Sequence, residues 1–416
     1  NNLGVTFEAA AFRTVERNRP VKSSLRTAGT GSTLKNIGTT FTDGIEFSSN
    51  WDQSKYSKKL NNLRHLMELN KIDLLALGPG THMNWLLGFN PFPDERPCML
   101  LVGQEKLAFL MPSVNAEGVK EKTNIPMHCW NDEVGAEQAL KDALLSTGTA
   151  TSKHIAIDEA MRAHFALLLI ESLFSPSYEY TTSTIGALRM RKDHDEFINL
   201  KENALIDDRA MQVGFAAIRE GVSELEIAEA INKHFISEGA KPQFCIVGSG
   251  PNSAFPHHHT GEKKVQRGDV VLIDIGGRKG TFPSDMTRMS VLGELPEDYL
   301  EIHAIVESAV KAALSAAKPG VMAKDVDAAA RNVIKEAGYG EYFVHRLGHG
   351  LGIDIHEQPY ITATSEVILD EGMVFSIEPG IYIPGKFGVR LEEIVILRAN
   401  GPEILSELTR ELKMLN

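Results

Sequence analysis

Strand-like and helix-like segments alternate along almost the whole chain and predict a mixed α/β fold in two domains. Three observations carry that expectation. The 416 residues exceed what one ordinary core organises. Hydrophobic residues make up 43% and charged residues 24%, the mix of a folded globular chain. A composition shift at "YEYTTSTIGALRMRKDHDEF" then marks a junction, giving domains 51–182 and 183–416 behind an N-terminal arm, 1–50.

The arm holds six basic and four acidic residues and thirteen Ser or Thr, with no sustained period. That composition suits an organellar leader, an added tail or a packing arm. Without a leader the expected location is cytoplasmic. From Trp51 the pattern becomes regular. Tyr56, Leu60, Leu63 and Met67 recur at helical spacing, and "IDLLALG" reads as a buried strand. "RPCMLLVG" and "KLAFLMP" read as further strands and "AEQALKDALL" as a helix.

The second domain is expected to open with a helix from Glu196 to Ile218, stopped by Gly221. Ser223 and Glu226 then form a capping box for "ELEIAEAINKHFISEG". A helix over 324–337 places Val326, Ala329, Ala330, Val333 and Ile334 on one stripe and ends at Gly338. Strands are expected at "DVVLIDIGG", "TRMSVLG", "MVFSIEPGIYI" and "GVRLEEIVIL".

Several function classes are disfavoured. A net charge of −12 argues against non-specific binding to nucleic acid or anionic membrane. No apolar run reaches the ~18 residues of a membrane helix. Cys98, Cys129 and Cys245 are isolated, so they suit neither a disulfide framework nor a cysteine zinc site. They read as buried small apolar residues in a reducing compartment.

The chemistry lies in acidic residues set among apolar ones. Asp274 stands in "VVLIDIGG", Asp285 in "FPSDMTR", Glu378 in "FSIEPG" and Glu392 in "VRLEEIVIL". A carboxylate there is costly unless paired or bound to a cation. One alone reads as a strand end facing water; four together point to a cation site. His349, in "LGHGLGIDIHE", completes a donor set suited to hard or borderline divalent ions. Four negative charges call for two dications, which can share a hydroxide and polarise a carbonyl. Gly348, Gly350 and Gly352 are expected to let the backbone crowd against the metals. A phosphate loop is excluded, because no Lys-Ser/Thr follows the glycines.

From about Leu188 onward the chain resembles the creatinase/methionine aminopeptidase ("pita-bread") superfamily. Within it, the Xaa-Pro peptidases are most similar, prolidase ahead of aminopeptidase P. The motifs are "GSGPNSAFPHHH" (248–259), "DIGGRKGTFPSDMTR" (274–288), "HRLGHGLGIDIHEQP" (345–359), "SIEPGIYI" (376–383) and "GVRLEE" (388–393). Residues 51–180 resemble the creatinase-like N-terminal domain more loosely, mainly at "IDLLALGPGTHMNWLLGF", and 1–50 lie outside the resemblance.

The resemblance implies a creatinase-like α/β domain followed by a pita-bread metallohydrolase domain. It implies cleavage of the peptide bond before proline by two divalent ions and a metal-bridging hydroxide. Manganese is the first expectation, with cobalt, zinc or iron as alternatives. Asp274 would chelate one ion, Asp285 and Glu392 would bridge, and His349 and Glu378 would bind the second. Glu378 would also shuttle the proton. His356 would donate to the scissile carbonyl or its oxyanion, His257 would contact substrate, and His345 would line the site. Arg390 shares a strand face with Glu392 and is expected to hold that carboxylate or relay protons. Tyr382 would do similar work or serve as a core tyrosine.

His258 and His259 read as loop, and His65, His164 and His303 as ordinary helix or surface residues. Phe282, Pro283 and Met289 depart from the family pattern and are expected to reshape the pocket. The implied partners are a small peptide with proline after the scissile bond and a second copy of the chain in a homodimer. Relatives on this scaffold also include creatine amidinohydrolases without metal, lyases of dimethylsulfoniopropionate, and non-enzymatic binding proteins. The intact donor set argues against the first and last. The lyase alternative stays open.

Overall fold

The computed structural model describes residues 56–416, so the arm over 1–50 lies outside the described residues. The expected first helix is α1 (Tyr56–Leu69), with Leu60, Leu63 and Met67 buried along its stripe. Strands β1 (Leu74–Leu77), β2 (Met99–Val102), β3 (Leu107–Pro112), β4 (Met127–Trp130), β5 (His154–Ile157) and β6 (Ser177–Tyr180) form one sheet in the order β4-β3-β2-β1-β5-β6. Helices α2 (Thr81–Leu87), α3 (Ser113–Lys120), α4 (Glu137–Ser146) and α5 (Ala163–Glu171) connect them. "LLAL" is apolar throughout because β1 is central and covered on both faces. Leu75 and Leu77 join the core shared with α1 and α2, while Leu74 and Ala76 join that of α4 and α5.

The expected junction falls on a short 3₁₀ turn, Thr181–Ser183, before α6 (Ile185–Met190) and α7 (His194–Ala217). Apolar packing is continuous across it. One core contains Leu63 from α1 and Phe109 from the first sheet together with Leu200, Val374 and Ile396. Helix α7 begins two residues before the expected Glu196, because Asp193 is its cap. The Asp193 side chain accepts from the Glu196 amide at 2.9 Å, and Glu196 Oε2 accepts from the Asp193 amide at 3.1 Å. The Ser223–Glu226 box stands at the head of α8 (Glu224–Ser237), where the sequence places it.

Strands β7 (Lys241–Ser249), β8 (Val270–Lys279), β9 (Phe282–Pro283), β10 (Met286–Leu292) and β18 (Lys413–Leu415) form a second sheet. Its strands obey the period of two. Val271, Ile273 and Ile275 pack under α7 and α8, whereas Val270 and Leu272 face the core of α9 (Tyr299–Ala316) and α10 (Ala323–Glu336). Asp274 shares the parity of Val270 and Leu272. Helix α10 buries Val326, Ala330 and Ile334 fully and leaves Ala329 and Val333 at the stripe's margins. Sequence pattern missed β7 and α9. Helix α9 starts after Asp298, which sits at φ 64° and makes no side-chain cap.

The third sheet runs β12 (Glu357–Ile361), β11 (Gly348–Gly350), β13 (Val374–Ile377), β16 (Glu393–Arg398), β17 (Gly401–Ile404). A separate hairpin pairs β14 (Gly380–Ile383) with β15 (Phe387–Arg390). Thus "MVFSIEPGIYI" and "GVRLEEIVIL" are not single strands. Each divides between the sheet and the hairpin, at Glu378-Pro379 and at Leu391-Glu392. Pro379 has no N–H to continue a ladder. Cys98 is buried as expected, but Cys129 is exposed, because β4 is an edge strand.

Lowering the pH tests the cap of α8. Hydrogen bonds from the Ser223 amide and hydroxyl, then Lys264, hold the Glu226 carboxyl at about 2, below its ordinary 4.5. A carboxyl depressed on folding contributes stability that is complete above its ordinary value and is lost as the pH falls through its folded value. The stability difference between the parent and Glu226→Gln, measured by urea unfolding, should therefore shrink between about pH 4.5 and 2. A difference constant across that window would remove the carboxylate from the cap.

Candidate metal centre

The four carboxylates meet at the places where strands begin, end or change sheet. Asp274 lies inside β8, cross-strand from Ile246 in β7 and Thr287 in β10. Asp285 lies in the two-residue break between β9 and β10, which pair with β8 in one register, and Glu378 and Glu392 occupy the two strand divisions. His349 is the middle residue of β11. Donor atoms of Asp274, Asp285 and Glu392 lie within 4.8 Å of one another, as do those of His349, Glu378 and Glu392. Asp285, His349 and His356 form a third such group.

Hydrogen bonding sets the histidine's lone pair. His349 Nδ1 lies 3.1 Å from the Gly350 carbonyl oxygen, which can only accept, so Nδ1 carries the proton. The Nε2 lone pair then faces Glu378 Oε1 at 3.2 Å and Asp285 Oδ2 at 3.6 Å. Lone pair against carboxylate is repulsive without a cation between them. Asp274 gives the same signal, since its Oδ1 is buried with no hydrogen-bond partner among the described residues. Burial, then the charges of Glu392 and Asp274, push the Asp285 carboxyl well above its usual range. Burial and the charges of Glu378 and Asp274 do the same to Glu392. The donor set fits divalent metal ions on both counts.

A polar frame holds the donors from behind. Arg390 Nη2 donates to Asp274 Oδ2 at 2.6 Å, rather than to Glu392 as its spacing suggests. The strand division after Leu391 separates Arg390 from Glu392. Glu392 is held instead by the Thr287 hydroxyl at 2.7 Å, and Arg390 Nε reaches that hydroxyl at 3.1 Å. Arg390 Nη1 donates to the Tyr382 oxygen at 2.9 Å. His345 Nδ1 donates to the Arg346 carbonyl at 2.7 Å, so the Tyr382 hydroxyl donates to His345 Nε2 at 2.8 Å. Burial, unfavourable to the charged ring, pushes the His345 pKa down. Tyr382 is therefore both buried and part of the frame. The Ser376 hydroxyl accepts from the His349 amide at 2.9 Å and donates to Glu378 at 3.1 Å. Thr287 and Ser376 were not foreseen, because a hydroxyl two residues from a carboxylate carries no pattern of its own.

These groups line a cavity of about 590 Å³ that also exposes His257, His345 and His356. Phe244, Ile246, Pro256 and Ile355 supply its apolar wall. His356 is packed edge-to-face on His349, with ring centroids 4.2 Å apart. Partial burial, then the neighbouring His349 and Arg346, push its pKa down to about 4, so it is neutral near pH 7. His258 is more than loop. Its Nε2 pairs at 2.8 Å with the fully buried Glu224, which also accepts from Ser249 and Asn252 and so anchors the turn that carries His257. Phe282 and Met289 lie in the cores rather than on the cavity wall, and Pro283 is buried in β9. None of the three shapes the pocket surface.

The glycines make room for protein rather than for metal. A Cβ at Gly348 would lie 1.9 Å from the Ser376 carbonyl oxygen, one at Gly350 2.2 Å from the Gln358 oxygen, and one at Gly352 2.0 Å from Glu357 Oε1. Another possible donor group, His82, Asp158 and Glu159, lies beside the first sheet. There Arg189 donates to His82 Nδ1 at 3.0 Å, so the ring's other nitrogen carries its proton and points at Thr181 and Glu159. That group is a hydrogen-bonded structural cluster.

Residues 199–399 match the profile of metallopeptidase family M24, and residues 59–191 that of the creatinase/prolidase N-terminal domain. A relative from Pyrococcus horikoshii named Xaa-Pro dipeptidase is 34% identical over 358 residues, spanning 86% of this chain and 99% of the relative. The crystal structure of a dipeptidase from Pyrococcus horikoshii OT3 superposes with a TM-score of 0.77 at 37% identity, over 86% of this chain and all of that one (100%). A prolidase structure from Thermococcus sibiricus gives 0.79 at 35%, over 87% and 100%.

Gly348→Ala tests the spacing argument. The added Cβ meets backbone, so β13 must shift and carry Ser376 and Glu378 with it. The expected cost is about 3 kcal/mol in urea unfolding, with divalent-ion affinity weakened at least about tenfold by calorimetry. Parent-like stability and affinity would show that the strands have slack here.

Proposed function

The chain belongs to metallopeptidase family M24, and on that premise we propose that it is a prolidase, a metal-dependent hydrolase of Xaa-Pro dipeptides. The observation that carries this reading is the convergence of Asp274, Asp285, His349, Glu378 and Glu392 in overlapping donor groups that share Glu392. The name Xaa-Pro dipeptidase on relatives aligned over nearly their full length supports the dipeptide as substrate. No observation favours the lyase, the amidinohydrolase or a non-enzymatic role. The reading includes a creatinase-like domain over 51–182 and a pita-bread catalytic domain over 183–416. It also includes a homodimer and a cytoplasmic location, with manganese ahead of cobalt, zinc or iron.

Asp274, Asp285, His349, Glu378 and Glu392 would hold two divalent ions. When bound, such ions polarise the scissile carbonyl and make water nucleophilic near neutral pH. The protein's own groups do the rest. Glu378, steadied by the Ser376 hydroxyl, accepts a proton from the attacking water and returns it to the departing proline nitrogen. His356, neutral and facing the cavity, donates a hydrogen bond to the carbonyl oxygen as negative charge develops there. His257 and His345 contact the substrate from the cavity wall. Arg390 holds Asp274 in place and opposes the effect of its burial. The apolar wall excludes water around the reacting bond.

Metal-stripped protein refilled with manganese, cobalt, zinc or iron should regain hydrolysis of an Xaa-Pro dipeptide. An Xaa-Pro tripeptide and dimethylsulfoniopropionate should remain intact. Tripeptide cleavage would make the enzyme an aminopeptidase P, and acrylate release without peptide cleavage would make it a lyase. Asp285→Ala should lower activity at least about a thousandfold, about 4 kcal/mol of barrier. Because it removes one of four repelling carboxylates, the metal-free variant should melt no lower than the metal-free parent. An active, metal-replete Asp285→Ala protein would overturn the assignment.

A further inference from the structure

His356 makes no hydrogen bond of its own among the described residues; its ring rests on that of His349, and the backbone of its loop sets how it is presented there. That loop is tied on both sides of His356 to one guanidinium. Arg189, at the end of α6 and 5% exposed, donates through Nη2 to Glu357 Oε2 at 2.5 Å and to Asp354 Oδ2 at 2.9 Å. Through Nη1 it donates to Thr81 Oγ1 at 3.1 Å and His82 Nδ1 at 3.0 Å, both on α2. The Thr81 hydroxyl donates onward to Asp354 at 2.7 Å and closes a ring. Lys192 Nζ takes the other Glu357 oxygen at 2.8 Å.

The loop is wrapped around this charge cluster. Glu357 occupies the space that a side chain at Gly352 would need. The Gly352 amide donates to the Asp354 carbonyl at 3.0 Å, and the Asp354 amide points at Glu357 Oε2 at 3.4 Å. A carboxylate enclosed in this way requires its cationic partners, since removing one leaves an uncompensated buried charge. Arg is suited to the position because four directed N–H groups are used, a geometry that an ammonium cannot reproduce.

We infer that Arg189 is a positioning residue for His356, holding Asp354 and Glu357 so that the intervening imidazole faces the metal-site cavity. This rests on the reading of His356 as the carbonyl's hydrogen-bond donor. It also makes α2 and α6, outside the metal-binding sheets, contributors to the catalytic geometry. A displaced donor weakens an interaction made in the transition state, so the loss falls on kcat rather than KM.

The test is a double-mutant cycle on the metal-loaded enzyme with an Xaa-Pro dipeptide. Arg189→Met should lower kcat about ten- to hundredfold, with KM within about twofold and metal content unchanged. In a His356→Ala background the same substitution should change kcat by less than about threefold. Arg189→Lys should recover part of the loss. In metal-free protein, hydrogen exchange at the Asp354 amide should be at least about tenfold faster in Arg189→Met. Equal factors in both backgrounds, or unchanged exchange, would reduce Arg189 to a stabilising residue and leave the His356 reading intact. A His356→Ala enzyme with parental kcat would instead remove that reading and this inference with it. If Arg189→Met does not fold, Thr81→Val keeps both ion pairs and should show a several-fold loss of kcat with the same non-additivity; an additive loss there overturns the inference equally.

Discussion

Four carboxylates that repel one another are held in one cavity, and much of the surrounding structure answers that constraint. Asp274, Asp285, Glu378 and Glu392 come from strands of the second sheet and from breaks where strands are interrupted. Bringing them together costs desolvation and mutual repulsion, which a bound cation offsets and an apolar site cannot. Among the described residues a single guanidinium stands at hydrogen-bonding distance, Arg390 on Asp274. Among the described residues the other three carboxylates receive hydroxyl hydrogen bonds, on Glu378 and Glu392, or none. The framework therefore organises the donors without neutralising them, leaving their charge available to metal ions.

Holding the donors rigidly requires strands, and converging them requires strands that break. Glu378 and Glu392 each sit where one strand stops and the chain crosses between the third sheet and the hairpin. A carboxylate in a continuous strand would be fixed to that strand's pleat. At a division its direction is free to be set by tertiary contacts, Ser376 for one and Thr287 for the other. The glycines of β11 and its loop belong to the same solution. They let β11 press against β13 and let the loop close over Glu357, which places His349 and His356 ring to ring.

The parts legible in the sequence were those encoded locally. Helices α1, α8 and α10 followed from apolar spacing and from a capping box that uses neighbouring residues. Asp274, Asp285, Glu378, Glu392 and His349 stood out because charge in apolar surroundings is conspicuous at short range. The pairings were not legible. Arg390 lies two residues from Glu392 but binds Asp274, 116 residues away, because the strand turns out of register between the two neighbours. The division of "MVFSIEPGIYI" has only Pro379 as a local mark. Helix α9 lacked a side-chain cap to announce it. Glycine was misassigned for a related reason, since its neighbours across the sheet are absent from its own segment.

The same distinction bears on how the N-terminal half relates to the catalytic site. The first sheet contributes no residue to the metal-site cavity, and by composition it could serve as a cover alone. Yet Arg189 lies 168 residues from Glu357 and joins helix α2 to the loop that presents His356. A buried ion pair of this kind adds little net stability compared with apolar packing of equal volume. What it adds is direction, because a guanidinium fork satisfied on four sides tolerates few geometries. The metal ligands are fixed by their own sheets and frame. His356, which has no such frame, takes its orientation from charges outside both sheets.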